Sequence, residues 1–220
     1  MKGCQKLCLA LTVLLALTLT LGACARKPKS TAEVPTLLSH RYQISVAPFS
    51  QPRSNFELIA GNLPEPQGQI GQEDLLRLDR AFKGLLQSGG KRIYTFLTSP
   101  LEKASTHLHM GTQPMALSAW LNYGQKHKAE LLLVPFVLNW HERSGSKAGV
   151  TSSAEVRVEF FLLNIPKGSI MNRSSFEEKQ EALVDNFLKI GTFLKRKGAW
   201  VEAQDLALEG MAKAKKEFGL

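Results

Sequence analysis

The stretch Met1–Cys24 constrains this 220-residue chain more than any other, because it is built like an export signal. Lys2 and Lys6 precede an apolar run, Leu7–Leu21, that only threonines and Cys8 interrupt. A charged start, an apolar core and a small-residue cleavage site make a secretory signal. The core of fifteen residues is shorter than the roughly 20 that span a bilayer. We therefore expect a cleaved signal rather than a retained transmembrane helix.

The end of this stretch, Leu21-Gly22-Ala23-Cys24, resembles the lipobox of bacterial lipoproteins. In that family the peptide is cut just before the cysteine, whose thiol takes a diacylglycerol and whose new amine is usually acylated, as with palmitate. The resemblance implies cleavage between Ala23 and Cys24 and lipidation of Cys24. Two or more acyl chains give stable anchoring, whereas one gives reversible binding. The alternative is an ordinary signal peptide whose cysteine is incidental.

The same resemblance bears on location. Ala25 follows the cysteine, whereas an aspartate there marks inner-membrane retention in many enterobacterial lipoproteins. The predicted location is therefore the periplasmic face of the outer membrane, with the periplasmic face of the inner membrane as the alternative.

Three segments follow from this interpretation: a signal peptide over 1–23, a lipid anchor and flexible tether over 24–39, and a single periplasmic domain over 40–220. Residues 25–39 are polar, contain two prolines and show no periodicity, as a flexible tether does. Fully extended, these residues reach about 50 Å at ~3.3 Å each. The domain is therefore expected to stay close to its membrane.

Cysteine usage limits the chemistry of the domain. Cys4 and Cys8 would leave with the signal and Cys24 would carry lipid, and these are the three cysteines of the chain. We therefore expect no disulfide, no thiol nucleophile and no thiolate metal ligand in the mature protein.

The chain is basic, with a formal net charge of +9. Its basic clusters are Arg26–Lys29, Lys195–Lys197 and Lys213–Lys216. An exported, membrane-tethered protein seldom meets nucleic acid, and no aromatic residues are interleaved with these clusters, so no nucleic-acid partner is expected. Anionic lipid headgroups suit the cluster beside Cys24, and the other two are expected to be solvated helix ends.

Hydrophobic periodicity predicts an α/β (α+β) domain, with a single mixed sheet of about five strands and helices mainly on one face. The predicted element order is β-α-β-α-β-β-β-α-α. Strands are predicted over Arg41–Phe49, Lys91–Leu97, Glu130–Glu142, Thr151–Asn164 and Ser169–Ser175. Helices are predicted over Gln72–Ser88, Pro114–Lys128, Phe176–Lys195 and Val201–Phe218.

Two details of the strands add expectations. Pro135 cannot donate to a sheet ladder, so a bulge or an unpaired edge is expected beside it. In Thr151–Asn164, apolar residues such as Val158 alternate with Arg157 and Glu159, so the two charged side chains should face away from the apolar ones.

Three short stretches carry a second resemblance: Val46–Phe49 (VAPF), Lys128–Val137 (KAELLLVPFV) and Leu162–Ile170 (LLNIPKGSI). They resemble the periplasmic α/β domain shared by the amino-terminal domain of the TolB protein, the curli-secretion lipoprotein and the lipoprotein activators of penicillin-binding proteins. The match covers about residues 41–175. It departs from the family where Lys-Ala-Glu replaces Gly-Ala-Asp and where Pro135 replaces a glycine. The resemblance implies a role in envelope assembly and transfers no catalytic residue.

No convincing catalytic or metal site is predicted. His107 and His109 lie two apart, but zinc needs a third ligand and none follows at a telling spacing. His141-Glu142 ends a predicted strand, and Asp74 and Asp79 are expected on the solvated side of a helix. No cofactor is expected.

These observations favour a non-catalytic, lipid-anchored binding or assembly module for another component of the cell envelope. The alternative is a periplasmic enzyme or small-ligand-binding protein with a cleft formed by loops 50–71 and 98–113. An oligomeric secretion pore ranks last, because strands of a membrane pore alternate over about 9–11 residues, whereas Leu131–Val137 is entirely apolar apart from Pro135.

Overall fold

The computed structural model describes residues 38–39, 41–88, 92–101, 116–145, 150–180 and 201–220. All of them lie in one compact unit, Pro35–Leu220. The strands are β1 Ile44–Val46, β2 Tyr94–Phe96, β3 Leu131–His141, β4 Ser144–Gly145, β5 Val150–Ser152, β6 Glu155–Asn164 and β7 Ser169–Lys179. The helices are α1 Gln72–Gln87, α2 Ala116–Lys126 and α3 Ala203–Glu217.

Five strands form one mixed sheet in the order β2-β1-β3-β6-β7, and β4 and β5 form a separate two-stranded ribbon. β1 is parallel to β2 and β3, whereas β6 pairs antiparallel with both β3 and β7. The predicted fold class is confirmed: a mixed sheet of five strands, with two of the three described helices on one face.

Strand order explains which face each helix occupies. The chain crosses the sheet in one direction from β1 to β2 and in the opposite direction from β2 to β3. Right-handed crossovers that run in opposite directions place their helices on opposite faces. Accordingly, α1 contributes Leu78 and Phe82 to one core cluster, and α2 contributes Trp120 and Tyr123 to the other.

The face under α1 and α3, which we call the helical face, is apolar throughout its centre. Phe160 of β6 lies against Phe49 and Phe82, with ring centroids 6.0 and 5.4 Å apart. Gly210 of α3 lies so close to β6 that an added Cβ would approach a Val158 methyl to 2.7 Å. A small residue at this position therefore allows α3 to pack directly on the sheet.

The opposite face is covered by α2 and by the loop 50–71 that follows β1, and we call it the loop face. Trp120 of α2 packs edge-on against Phe136 of β3, at 5.8 Å between ring centroids. From the loop, Leu58 and Ile59 are buried in the same cluster. The loop therefore replaces a helix as the cover over part of this face.

Of the two alternatives predicted beside Pro135, a bulge and an unpaired edge, the structure shows the unpaired edge, because the β1 ladder ends at Leu133. Pro135 stays in register with Phe160 of β6, and the irregularity of the ladder lies between Val137 and Asn139. Its carbonyl oxygen accepts a hydrogen bond from Ser50 on the β1 side. The missing N–H points to that same side, beyond the last β1 pair of Val46 with Leu133, so the proline costs little pairing.

The predicted start of the helix Phe176–Lys195 is wrong, because Phe176–Lys179 form the end of β7 and pair with β6. Phe176 lies opposite Val158, and its ring borders the α3 glycine, Gly210. Tertiary packing on the helical face therefore holds these residues extended. The rest of that predicted helix, 181–195, lies outside the described residues.

Candidate functional site

The loop 50–71 is fixed to the carboxyl end of β3 by polar contacts. The amide nitrogen of Gln67 donates to the carbonyl oxygens of Pro52 and Leu138, at 2.9 and 3.0 Å. The backbone N–H of Gly68 donates to Oδ1 of Asn139 at 2.6 Å, and the Asn139 amide in turn donates to Glu155 at 2.7 Å. Side-chain amides thus satisfy backbone groups of an irregular segment, as buried polar groups require.

Gly68 allows the closest approach in this contact. A Cβ built on it would lie 2.3 Å from the carbonyl oxygen of Trp140 and 2.9 Å from Oδ1 of Asn139. No side chain fits in that space, so the loop can lie directly on the β3 backbone only because residue 68 is glycine. The loop is therefore packed against the sheet as part of the folded domain.

A fully buried carboxylate lies beneath this loop. Glu159 of β6 has 0% exposure, and one terminal nitrogen of Arg173 on β7 donates to both of its oxygens at 2.9 Å. Arg157 approaches the same carboxylate at 3.5 Å. Burying an ion is costly unless it is paired and hydrogen-bonded, and these contacts meet that condition.

Arg173 connects the carboxylate to its surroundings. Its guanidinium lies over the ring of Phe161, at 5.4 Å from the centroid. It also lies beside Gly61 of the loop, where an added Cβ would be 2.9 Å from the same nitrogen. Gly61 has φ +88, a conformation that glycine adopts readily. One arginine therefore joins β6, β7 and the loop.

The ion pairs continue outward along β6 and β7 to the surface. Arg157 reaches Glu177 at 3.7 Å, and Lys179 reaches Glu155 at 3.6 Å. The side chains of Glu177 and Lys179 are 64% and 61% exposed. These residues of alternating charge on the loop face form what we call the charged strip: Glu155, Arg157, Glu159, Arg173, Glu177 and Lys179.

The charged strip follows the outer strand of the sheet. β7 is the terminal strand in the order of the five-stranded sheet, and within the described ranges no strand pairs with its outer side. Lys213 of α3 donates to the carbonyl oxygen of Ser175 at 2.6 Å and so covers part of β7. Charged residues along an outer strand hinder unspecific pairing with other chains, while their pattern can select a complementary partner.

One predicted solvated residue, Asp79, is placed differently by the structure. Its Oδ1 accepts the backbone N–H of Phe49 at 2.7 Å, just after β1. Burial raises the pKa of Asp79, and the hydrogen bond from Phe49 opposes that shift. The expectation of a solvated Asp79 is therefore wrong, because the chain after β1 continues alongside β3 and its Phe49 N–H contacts this side of α1. Asp74 does lie at the surface and pairs with Arg77 at 2.9 Å.

The second predicted loop is described only at its start. The hydroxyl of Tyr123 donates to the carbonyl oxygen of Ser99 at 2.5 Å, and burial raises the pKa of Tyr123 to about 12. Residues 102–113 lie outside the described residues. The cleft between loops 50–71 and 98–113 therefore stays a prediction.

The other candidate residues from the sequence do not come together in one site within the described part of the chain. His141 is exposed at the end of β3, and Glu142 accepts the indole N–H of Trp140 at 3.0 Å. No three His, Cys, Asp or Glu side chains among the described residues are grouped so that they could hold a metal ion. Ala23, Cys24, His107 and His109 lie outside the described residues.

Sequence reasoning predicted the alternation that places Arg157 and Glu159 on one face, but it missed the burial of Glu159 and its pairing with Arg173. The only signal was a charged residue inside an apolar strand. The partner lies on the next strand, and the loop that contacts Arg173 through Gly61 comes from about a hundred residues earlier in the chain. None of the helices in the described ranges is long and apolar enough to cross a bilayer.

No family model matches the chain, and no curated protein matches it in sequence. Solved structures are similar to it at low identity. The PelC dodecamer from Paraburkholderia phytofirmans is 11% identical, with 83% of this chain and 91% of that chain covered and a TM-score of 0.48. The LpoB C-terminal domain from Salmonella enterica is 12% identical, with 62% of this chain and 82% of that chain covered and a TM-score of 0.35. Lipoprotein GNA1162 from Neisseria meningitidis is 11% identical, with 71% of this chain and 98% of that chain covered and a TM-score of 0.35.

A bacterial lipoprotein is thus among the structures that are similar to this chain. Similarity at this level does not transfer a function.

Proposed function

We propose that this protein is a lipid-anchored, non-catalytic module that binds another protein of the cell envelope through the charged strip on β6 and β7. The observation that carries the proposal is the position of the strip beside the outer strand of the sheet. The lipobox-like Leu21–Cys24 supports the anchor. On this proposal the domain lies at the periplasmic face of the outer membrane.

The strip offers a partner two kinds of contact. Arg157, Glu177 and Lys179 present both signs of charge in a fixed order, because Arg157 contacts Glu177 and Lys179 contacts Glu155. Beside them, β7 is a strand of eleven residues at the end of the sheet. An extended segment can add to such a strand through backbone hydrogen bonds, and side-chain charges then give specificity. The partner is therefore a protein segment with a complementary order of charges.

The experiment is affinity purification of the full-length protein from crosslinked, detergent-solubilised envelopes. One variant exchanges the exposed charges of the strip by Glu177→Lys with Lys179→Glu, which keeps the net charge. The matched control exchanges Glu73→Arg with Arg77→Glu, an exposed pair on α1. A third sample carries Cys24→Ala to remove the lipid site.

A partner that is recovered with the parent and the α1 control, and lost with the strip variant, supports the proposal. Recovery of the partner with the parent, the α1 control and the strip variant alike contradicts the role of the strip. Loss with Cys24→Ala shows that binding needs the membrane. Dose-dependent turnover of an envelope substrate by the purified protein would overturn the non-catalytic assignment in favour of the enzyme alternative.

A further inference from the structure

Arg92 fixes the point at which the predicted tether enters the domain. Its guanidinium donates to the carbonyl oxygens of Leu38 and Ser39 at 2.6 and 2.9 Å, and to that of Gly219 at 3.4 Å. Leu38 itself is buried in the core under the helical face. The chain that comes from the anchor therefore joins the folded domain at one defined place, beside the start of β2 and the end of α3.

This place lies at one end of the sheet. The register puts Ile44, Tyr94, Leu131 and Asn164 on one level, at the amino ends of β1, β2 and β3. The turn between β6 and β7 reaches the same level, because Ile165 donates to the carbonyl oxygen of Glu130. We call this side of the domain the tether end.

The tether end holds most of the exposed apolar side chains. Six large hydrophobic side chains are exposed among the described residues, and four of them lie here. Ile93, at 66%, is the most exposed of the six. The other three at this end are Tyr42, Ile170 and Met171.

Basic side chains surround these apolar ones. Six cations lie at this end: Arg41, Lys126, Lys128, Lys167, Lys215 and Lys216. Glu130 and Glu217 are the described acids there, and Glu217 already contacts Ser174 and Lys213. The tether end is therefore positively charged as a whole.

Helix electrostatics explain only part of this cluster. Lysines in the last turns of α2 and α3 interact favourably with the helix dipole. Arg41, Lys128 and Lys167 lie outside helices, in the turns at the start of β1, after α2 and between β6 and β7. Helix ends also give no reason for exposed apolar side chains such as Ile93.

The other end of the domain has the opposite character. Its described carboxylates include Glu73, Asp74, Glu142, Glu155, Glu177, Glu178, Glu202 and Asp205. Arg77, Arg143 and Lys179 offset these in part. Charge therefore changes sign along the strand direction, and the basic end is the one that the tether enters.

We propose that the tether end docks on the surface of an anionic phospholipid bilayer, with the exposed apolar side chains inserted among the headgroups and the basic ones against lipid phosphates. Interfacial binding of this kind combines buried apolar area with attraction to anionic lipids. The anchor holds this end near the bilayer, because the tether ends there. This inference rests on the lipid anchor of the proposed function. It adds that the domain has a fixed orientation, with the acidic end turned to the periplasm.

The test uses the lipidated full-length chain in vesicles of phosphatidylcholine with phosphatidylglycerol, part of the lipid carrying bromine on its acyl chains. A polarity-sensitive dye is attached at Ile93→Cys in one sample and at Glu73→Cys, at the opposite end, in the control. The expected result is a blue shift and quenching at position 93, and neither at position 73. Equal quenching at both positions, or none at position 93, overturns the inference.

Charge variants test the headgroup contact. Lys128→Gln with Lys167→Gln should lower the ratio of docked to undocked domain by about 25-fold, since each basic residue at an anionic surface contributes about fivefold. The control Arg77→Gln with Lys179→Gln, at the opposite end, should leave that ratio unchanged. Equal loss in both variants contradicts the inference.

Intact mass separates the two proposals. A mature chain without acyl groups overturns the anchor, and this inference with it. A correctly acylated chain that shows no quenching at position 93 overturns the docking alone, and leaves the binding module of the proposed function standing.

Discussion

The two faces of the sheet are covered in different ways although they share the same strands. Phe160 and Phe161 are neighbours in β6, yet Phe160 lies among the rings under α1, whereas Phe161 lies beneath the guanidinium of Arg173. The helical face is closed by regular helices and apolar contacts. The loop face is closed in part by an irregular segment, and it depends on side-chain hydrogen bonds and on an ion pair whose carboxylate is buried.

The two faces should therefore differ in how well they tolerate substitution. Apolar packing tolerates exchange of one hydrophobic residue for another of similar volume. Polar networks do not, because each buried group that loses its partner keeps the cost of its desolvation. The loop face should therefore respond more sharply to single substitutions, and it is also the face that carries the charged strip.

The largest effect is expected for Arg173→Ala. This change leaves Glu159 buried with its weaker contact to Arg157. Breaking a fully buried ion pair costs about 3–5 kcal/mol of the free energy of unfolding, and the lower end of that range is expected here because the Arg173 side chain is 39% exposed. Urea unfolding followed by tryptophan fluorescence measures the loss. The double variant Arg173→Ala with Glu159→Leu should recover most of it, because the uncompensated charge is then gone. A double variant as unstable as the single one would contradict this account.

A pair of glycines gives the next comparison. Gly68→Ala should lower the free energy of unfolding by about 1–3 kcal/mol, because an added methyl group overlaps the β3 backbone. Gly84→Ala, on the exposed side of α1 with no atom within 4 Å of the added Cβ, should raise it by about 0.5–1 kcal/mol. Thermal unfolding of both variants gives the sign directly. If both variants changed the free energy of unfolding in the same direction, the proposed difference between the loop contact and the exposed side of α1 would be wrong.

The smallest effect concerns pH. Because burial raises the pKa of Asp79, the folded state binds its proton more tightly than the unfolded state does. This group therefore makes stability fall as pH rises from about pH 4 through the raised pKa, and its favourable contribution is complete only at lower pH. Asp79→Asn keeps an acceptor for Phe49 and should make the slope of unfolding free energy against pH less negative over this range. An unchanged slope would contradict the raised pKa.

Asp79→Ala provides the control for that measurement. It removes the acceptor of the Phe49 N–H and should cost about 1–2 kcal/mol at every pH. The two variants therefore separate the hydrogen bond from the ionisation.

Much of the fold could be predicted from sequence because local patterns decide it. The apolar residues of Gln72–Gln87 recur at helical spacing, and the turn Ile165–Gly168 has proline and glycine where a turn needs them. The end of β7 could not be predicted in this way. Phe176–Lys179 fit a helical pattern with the residues that follow, and only their pairing with β6 keeps them extended.

The candidate site was less accessible to sequence reasoning. The alternation in β6 predicts that Glu159 faces away from Phe160, and this is so. It cannot predict whether that face is open or covered, because the cover comes from a loop held by contacts such as that of Gln67 with Leu138, 71 positions apart. Loops of this kind are placed by long-range hydrogen bonds, and no local periodicity records them.

The attachment at Arg92 has a mechanical consequence. Tension that reaches Leu38 from the preceding chain acts on the amino end of β1, the second strand of the sheet, which is bonded to β2 on one side and β3 on the other. A pull along the strand loads both ladders in shear, so that their hydrogen bonds resist together instead of opening one after another. Arg92 also grips Gly219, so part of the same load passes to the end of α3. A domain connected in this way can carry force from the chain that precedes Leu38 to a partner bound on the sheet.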